Sequence, residues 1–306
     1  MLAQARNFFA DREVLEVDTP VLSSTTVSDP HIESVQAAFA DRPRKPYFLQ
    51  TSPEYFMKRL LCSGYPDIYQ VCKVFREGEA GRRHSPEFTI VEWYRHGFNL
   101  RRMMEETAAF ISELVESQHL AAPPQFVDYG GAFREHAGID AKDASLAALA
   151  RLAGADDKLI ESLGDDRDAW LDLVLALRVV PRFGASRLTV VYHYPASQAA
   201  LARRCPDDAS VADRFEIFYG GLELANGFVE LQDANEQSRR FAADRETRAA
   251  RNQSVHPSDE RLLAALASGL PQCAGVAVGF ERLLMINEMI DDIRKVQTFP
   301  FDEEDE

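Results

Sequence analysis

The adjacent glycines Gly220 and Gly221 are the strongest single constraint on what this chain can fold into. They separate two strand-like runs, residues 215–219 and 222–231. Two residues free to adopt left-handed backbone make the tight turn of a β-hairpin, so these runs are expected to lie antiparallel. Residues 67–76 and 88–95 form a second pair, rich in aromatic and β-branched side chains, joined by a charged, glycine-containing loop at 77–87. Shorter strands are expected at 47–50, 187–192 and 273–279. Helical patterns cover 3–11, 101–116, 235–252, 260–267 and 280–289. Thr51-Ser52-Pro53-Glu54 has capping-box spacing with proline in the first turn, which predicts a helix ending near Gly64. Strands in hairpins with helices segregated around them predict an α+β domain on an antiparallel sheet. From about residue 123 to 185 the signal is mainly short helices, strongest at 167–180, and reads as a helical insertion.

At 306 residues the chain makes one large domain or two small ones, and neither a repeat nor a long linker marks a division. Hydrophobic residues at 46% and charged residues at 27% exclude disorder over most of the length. No apolar run approaches the roughly 18 residues that span a membrane. The start has no secretory pattern, and Cys62, Cys72, Cys205 and Cys273 lack the spacing of a disulfide framework or a zinc site. A cytoplasmic protein is expected. The net charge of -15 weighs modestly against broad nucleic-acid binding, part of it residing in an acidic tail at 302–306. Neither GxxxxGK[ST] nor a GxGxxG after a strand is present, so any nucleotide must be held by another architecture.

Glu223 and Glu230 differ by seven positions, which in an unbroken strand points them to opposite faces. A bulge at Asn226-Gly227 is expected to return them to one face. Phe88, Glu92 and Tyr94 share parity on their strand, with Trp93 turned to the core side. His31, His96, His119, His136, His193 and His256 show no metal or triad partners.

Three segments, in order, resemble the signature motifs of class II aminoacyl-tRNA synthetases. They are Phe75-Arg76-Glu77-Gly78-Glu79 running to His84-Ser85-Pro86-Glu87-Phe88, then Gly221–Leu231, then Gly275-Val276-Ala277-Val278-Gly279-Phe280-Glu281-Arg282. Residues 8–20 resemble the remaining motif, which ends in proline and forms the dimer interface in that family. Thr51 to Leu60, Glu92-Trp93-Tyr94 and Glu223–Glu230 are most similar to the elongation factor P lysine ligases, short paralogues of lysyl-tRNA synthetase.

The resemblance implies a class II catalytic fold over 1–306, without an anticodon-binding domain. It implies activation of (R)-β-lysine or lysine by ATP with Mg²⁺, and transfer to a lysine of elongation factor P. A homodimer is implied, with no stable tRNA binding and no membrane. Arg76 matches the arginine on the α-phosphate, Arg282 that on the terminal phosphate, and Phe88 the aromatic that stacks on adenine; guanidinium suits phosphate geometry. Glu77, Gly78, His84, Ser85, Leu224 and Gly279 complete the implied ATP site, with Glu223 and Glu230 as implied Mg²⁺ ligands. Ser52, Pro53, Glu54, Glu92, Tyr94, Glu230 and Ala277 are the implied amino-acid pocket, because two buried ammonium groups need carboxylate or hydroxyl partners. Two departures stand out. The third motif 2 position is Gly78, with Glu79 displaced by one, and Ala277 stands where lysyl-tRNA synthetases have glycine, as in the factor P ligases. Lysyl-tRNA synthetase activity and a catalytically dead regulatory paralogue are the alternatives. Retention of Arg76, Phe88, Glu223, Glu230 and Arg282 argues against the second. Arg82 and Arg83 are the expected docking cations for an acidic acceptor.

Overall fold

The computed structural model describes residues 1–42 and 46–301, so the acidic tail at 302–306 lies outside the described residues. The strands are β1 (Leu15–Glu16), β2 (Leu22–Ser23), β3 (Gln36–Ala37), β4 (Tyr47–Leu49), β5 (Ile68–Phe75), β6 (Glu87–His96), β7 (Gln125–Asp128), β8 (Thr189–Tyr192), β9 (Arg214–Tyr219), β10 (Leu222–Val229) and β11 (Cys273–Gly279). The helices are α1 (Leu2–Ala10), α2 (Glu54–Cys62), α3 (Leu100–Leu114), α4 (Tyr129–Ala137), α5 (Leu146–Ala153), α6 (Asp157–Leu163), α7 (Arg167–Val174), α8 (Ala234–Ala250), α9 (Glu260–Gly269) and α10 (Phe280–Asn287).

Eight strands form the main sheet in the order β1-β5-β6-β11-β10-β9-β8-β7, and β2-β4-β3 form a small second one. The glycine turn closes as expected, with Gly220 at φ 52° and Gly221 at φ 85°. The interior pairs are antiparallel, but both edges are parallel: β1 on β5, and β7 on β8. Parallel neighbours need a crossover, and the α4–α7 segment supplies one between β7 and β8. The expected helix at 167–180 is α-helical only to Val174, then opens into a π turn over Leu175–Val179.

Alternation along the strands divides the main sheet into two unlike faces. One buries Tyr69, Val91, Trp93, Val276 and Val278 against α1 and α3. The other carries Ile68, Tyr94 and Cys273 toward α2, α8 and α9. Phe9 of α1 stacks on Tyr69 at 4.1 Å and meets Trp93 at 5.2 Å, wholly buried. Phe9→Ala is therefore expected to lower stability by about 3–5 kcal/mol in chemical denaturation, because the sheet beneath cannot collapse into the space.

The expected capping box does not form. Glu54 donates its N–H to Ser52 Oγ (3.0 Å), not to Thr51, and its carboxylate turns inward to Lys58. Among the described residues no helix is long and apolar enough to cross a membrane, and the four cysteines are free.

Candidate active site

The sheet face opposite α1 and α3 opens into a cleft of about 360 Å³. Of the candidate residues, Arg76, His84, Ser85, Phe88, Glu223, Leu224, Ala277, Gly279 and Arg282 line it. Arg76 leaves the end of β5, and its guanidinium lies 5.1 Å from the centre of the Phe88 ring. Arg282, in the first turn of α10, donates Nη1 to the Glu223 carbonyl (2.7 Å) and stands 3.7 Å from the Glu223 carboxylate. Gly279 caps that helix, its backbone lying against the Arg282 stem. Burial, reinforced by the Arg282 charge, lowers the His84 pKa, so His84 meets the cleft as a neutral ring near pH 7.

Glu77 and Gly78 do not line the cleft. The Glu77 side chain is exposed, and its N–H is spent on the Glu33 carbonyl. Gly78, at φ 79°, turns the loop so that Glu79 reaches back to Arg76 at 3.8 Å and lines the cleft in their place. Arg83 is likewise a wall residue held by the Gly221 carbonyl at 3.1 Å, while Arg82 pairs with Asp291.

The bulge exists, but two residues before the expected place. Between β9 and β10, Glu223 faces Phe218 and Ala225 faces Ile217, which makes Leu224 the extra residue. Asn226 and Gly227 stay in regular pairing. Gly227 is glycine because a methyl group there would strike the Gly275 carbonyl, Phe215 and Val276 at 2.7 Å.

The metal-ligand pair needs a larger correction. Glu230 is 1% exposed and does not line the cleft; its carboxylate contacts Lys58 Nζ at 2.5 Å. Of the carboxylates that share the cleft with Glu223, Glu216 stands on the neighbouring strand, directly across from Asn226. Tyr194 OH and Arg214 bind Glu216 at 2.7 and 2.5 Å. Burial above all raises Glu216 to about 7, with Arg214 opposing and the like charge of Glu223 adding. Two carboxylates on one cleft, each beside an arginine, supply the hard oxygen donors that a divalent cation takes. Sequence parity held the clue, since Glu216 is the lone acid in an apolar strand.

Glu54, Glu92, Tyr94 and Glu230 gather in a second, largely buried cluster. Ser52 Oγ donates to Glu92 Oε2 (2.8 Å), and Tyr94 OH donates to Glu92 Oε1 (2.7 Å). Gly275 permits the assembly, because a β-carbon there would sit 2.4 Å from the Tyr94 ring and 2.7 Å from a Glu230 oxygen. Burial, with neighbouring carboxylates adding, raises Glu92 and Glu230 each to about 8. Ala277 links the two compartments: it lines the cleft and is the direct cross-strand neighbour of Glu92. Pro53 stands apart, its carbonyl taken by the N–H groups of Phe56 and Met57 at the start of α2.

Among the histidines, His31 proves to be a cleft residue. His193, expected to be partnerless, lies 3.6 Å from Asp213 and beside Cys205. Arg203 holds the other Asp213 oxygen at 2.8 Å and already supplies that carboxylate with positive charge. Trp93 is core, its ring N–H on Glu106.

Residues 1–303 match the class II tRNA synthetases of the D, K and N type. The elongation factor P--(R)-beta-lysine ligase of Klebsiella pneumoniae is 42% identical over 99% of this chain and 93% of its own length. The proteins of the same name from Salmonella gallinarum and Salmonella dublin match at the same identity and coverage. With the match running over nearly its whole length, the chain belongs to the class II tRNA synthetases (D, K and N).

Proposed function

We propose that the protein is an ATP-dependent, AMP-forming ligase that activates (R)-β-lysine or lysine and attaches it to a lysine ε-amine of elongation factor P. The observation that carries the activation step is the pairing of an arginine-lined cleft with a cluster of three acids, Glu92 and Glu230 buried and Glu54 partly so, joined through Ala277 and Glu92. The names of the full-length relatives support the acceptor and the β-isomer.

In the first step a carboxylate oxygen of the amino acid attacks the α-phosphorus of ATP and the bond to pyrophosphate breaks. Arg76 and Arg282 meet the charge that grows on the phosphates, from positions set before the reaction begins. Phe88 offers a flat apolar surface for the adenine. Glu54, Glu92 and Glu230 hold the two ammonium groups, and Tyr94 with Ser52 fixes Glu92 for that task. In the second step the unprotonated acceptor amine attacks the acyl carbon, AMP departs, and the amine proton passes to water. Glu216 and Glu223 are the residues that would hold Mg²⁺, which would supply positive charge to the phosphates. This assignment replaces Glu230 as a ligand.

We take residues 1–306 to act as one catalytic unit, dimeric and cytoplasmic. The dimer would pack through the first helix and the segment to Pro20, where Leu2 and Leu15 are 42% and 45% exposed. Light scattering at micromolar concentration is expected to report twice the chain mass, and a stable active monomer refutes the pairing.

The function is tested by incubating the enzyme with ATP, β-lysine or lysine, and either elongation factor P or tRNA. Mass spectrometry should find one added lysyl group on the protein and none on the tRNA. Efficient charging of tRNA would overturn the acceptor, and absence of both products would point to a dead paralogue.

A further inference from the structure

A lysine lies inside the acid pocket. Lys58, one turn along α2 from Glu54, is 1% exposed, with Nζ 2.7 Å from Glu54 and 2.5 Å from Glu230. Glu54 Oε1 and both Glu230 oxygens are buried without a hydrogen bond in good geometry, so these contacts are ionic and leave the oxygens open to further donors. Cys62 faces Lys58 from its own helix, Cys273 from β11, and the Phe228 ring lies 5.6 Å from Nζ. Glu92 and Tyr94 of β6 complete the ring of titratable groups.

We propose that Lys58 is the resident cation that sets the charge of the amino-acid pocket. Against Glu54, Glu92 and Glu230 it leaves the pocket two positive charges short, and two ammonium groups are what a diamino acid brings. The inference rests on the reading of this pocket as the amino-acid site. Lys58 is a positioning residue: it acts on substrate through the carboxylates it pairs.

The charge count decides what the pocket accepts. A monoamino acid would leave a carboxylate buried and unpaired, which is costly enough that a proton must enter with it. Burial lowers the Lys58 pKa, but Glu230 and Glu54 outweigh that effect and raise it, so its charge is constant across the working range. The acids vary instead. With Glu92 and Glu230 raised to about 8, the empty pocket carries protons near neutral pH that arriving ammonium groups displace. Binding should therefore release protons, and the amino-acid KM should fall as pH rises toward 8. Without Lys58 the acids lose their nearest cation, hold protons to higher pH, and become poorer partners for ammonium.

The test compares wild type, Lys58→Met and Lys58→Arg by ATP–pyrophosphate exchange with lysine and β-lysine across pH, with circular dichroism to confirm folding. Lys58→Met should raise the amino-acid KM at least about tenfold with the ATP KM almost unchanged, since the loss falls on a buried charge network. Its pH profile should move upward by about one unit. Lys58→Arg should keep the wild-type profile. A folded Lys58→Met with unchanged KM and profile overturns the proposal, as does a Lys58→Arg whose profile moves as far as that of Lys58→Met, because shape and not charge would then be the requirement. If Lys58→Met does not fold, calorimetry of wild type with lysine in buffers of differing ionisation enthalpy decides: proton release supports the charge count and none overturns it. Wild type inert toward both diamino acids sinks the reading of the site itself, a different failure from an active wild type indifferent to Lys58.

Discussion

Arg76→Ala and Arg282→Ala are each expected to lower ATP–pyrophosphate exchange by at least about a hundredfold while leaving the protein folded. A fixed cation facing charge that develops in a water-poor cleft is worth about 3–4 kcal/mol in the transition state, far more than a surface charge. The two losses should differ in character. Arg76 stands on the Phe88 ring and pairs with Glu79 at 3.8 Å, so its removal also loosens the aromatic platform and should raise the ATP KM. Arg282 holds the Glu223 carbonyl at 2.7 Å beside the Leu224 bulge, so its removal frees the strand that presents Glu223. Arg282→Lys should recover little, because an ammonium group restores the charge but not the fork that spans carbonyl and phosphate. Near-normal exchange in either alanine variant would refute the assignment of the cleft to ATP.

Much of this site is legible in the sequence because its pieces obey local rules. Gly220-Gly221 dictates a hairpin wherever it occurs between strands, and parity separates Trp93 from Glu92 and Tyr94 without knowledge of the neighbours. What stayed hidden depends on contacts between distant segments. The tetrapeptide Gln125–Asp128 is too short to announce a strand and exists because β8 offers an edge. Asn226-Gly227 has the chemistry of a local irregularity, yet Gly227 answers to the Gly275 carbonyl lying against it, and the bulge falls at Leu224. Lys58, four residues after Glu54, reads as a solvated ion pair on a helix surface. Only the approach of Glu230 from the end of β10 makes that pair a buried one.

The placement of Glu216 in the cleft and Glu230 in the acid pocket predicts opposite defects for two otherwise similar substitutions. Glu216→Gln should raise the Mg²⁺ concentration needed for half-maximal pyrophosphate exchange by about tenfold or more, because a neutral amide is a far weaker ligand for a hard cation than a carboxylate. Its amino-acid KM should change little, since Glu216 is bound by Arg214 and Tyr194 and does not touch the acid pocket. Glu230→Gln should do the reverse. It removes one of the carboxylates reserved for ammonium and takes from Lys58 one of its two acidic partners, and breaking such a buried network costs about 3–5 kcal/mol. The amino-acid KM should therefore rise by two orders of magnitude or more, about what that energy amounts to, with the Mg²⁺ requirement near that of wild type. Titrating Mg²⁺ and lysine separately against both variants decides the matter. A Glu230→Gln enzyme that needs more Mg²⁺ but binds lysine normally would return Glu230 to the metal and leave the pocket with two acids, one of them already neutralised by Lys58.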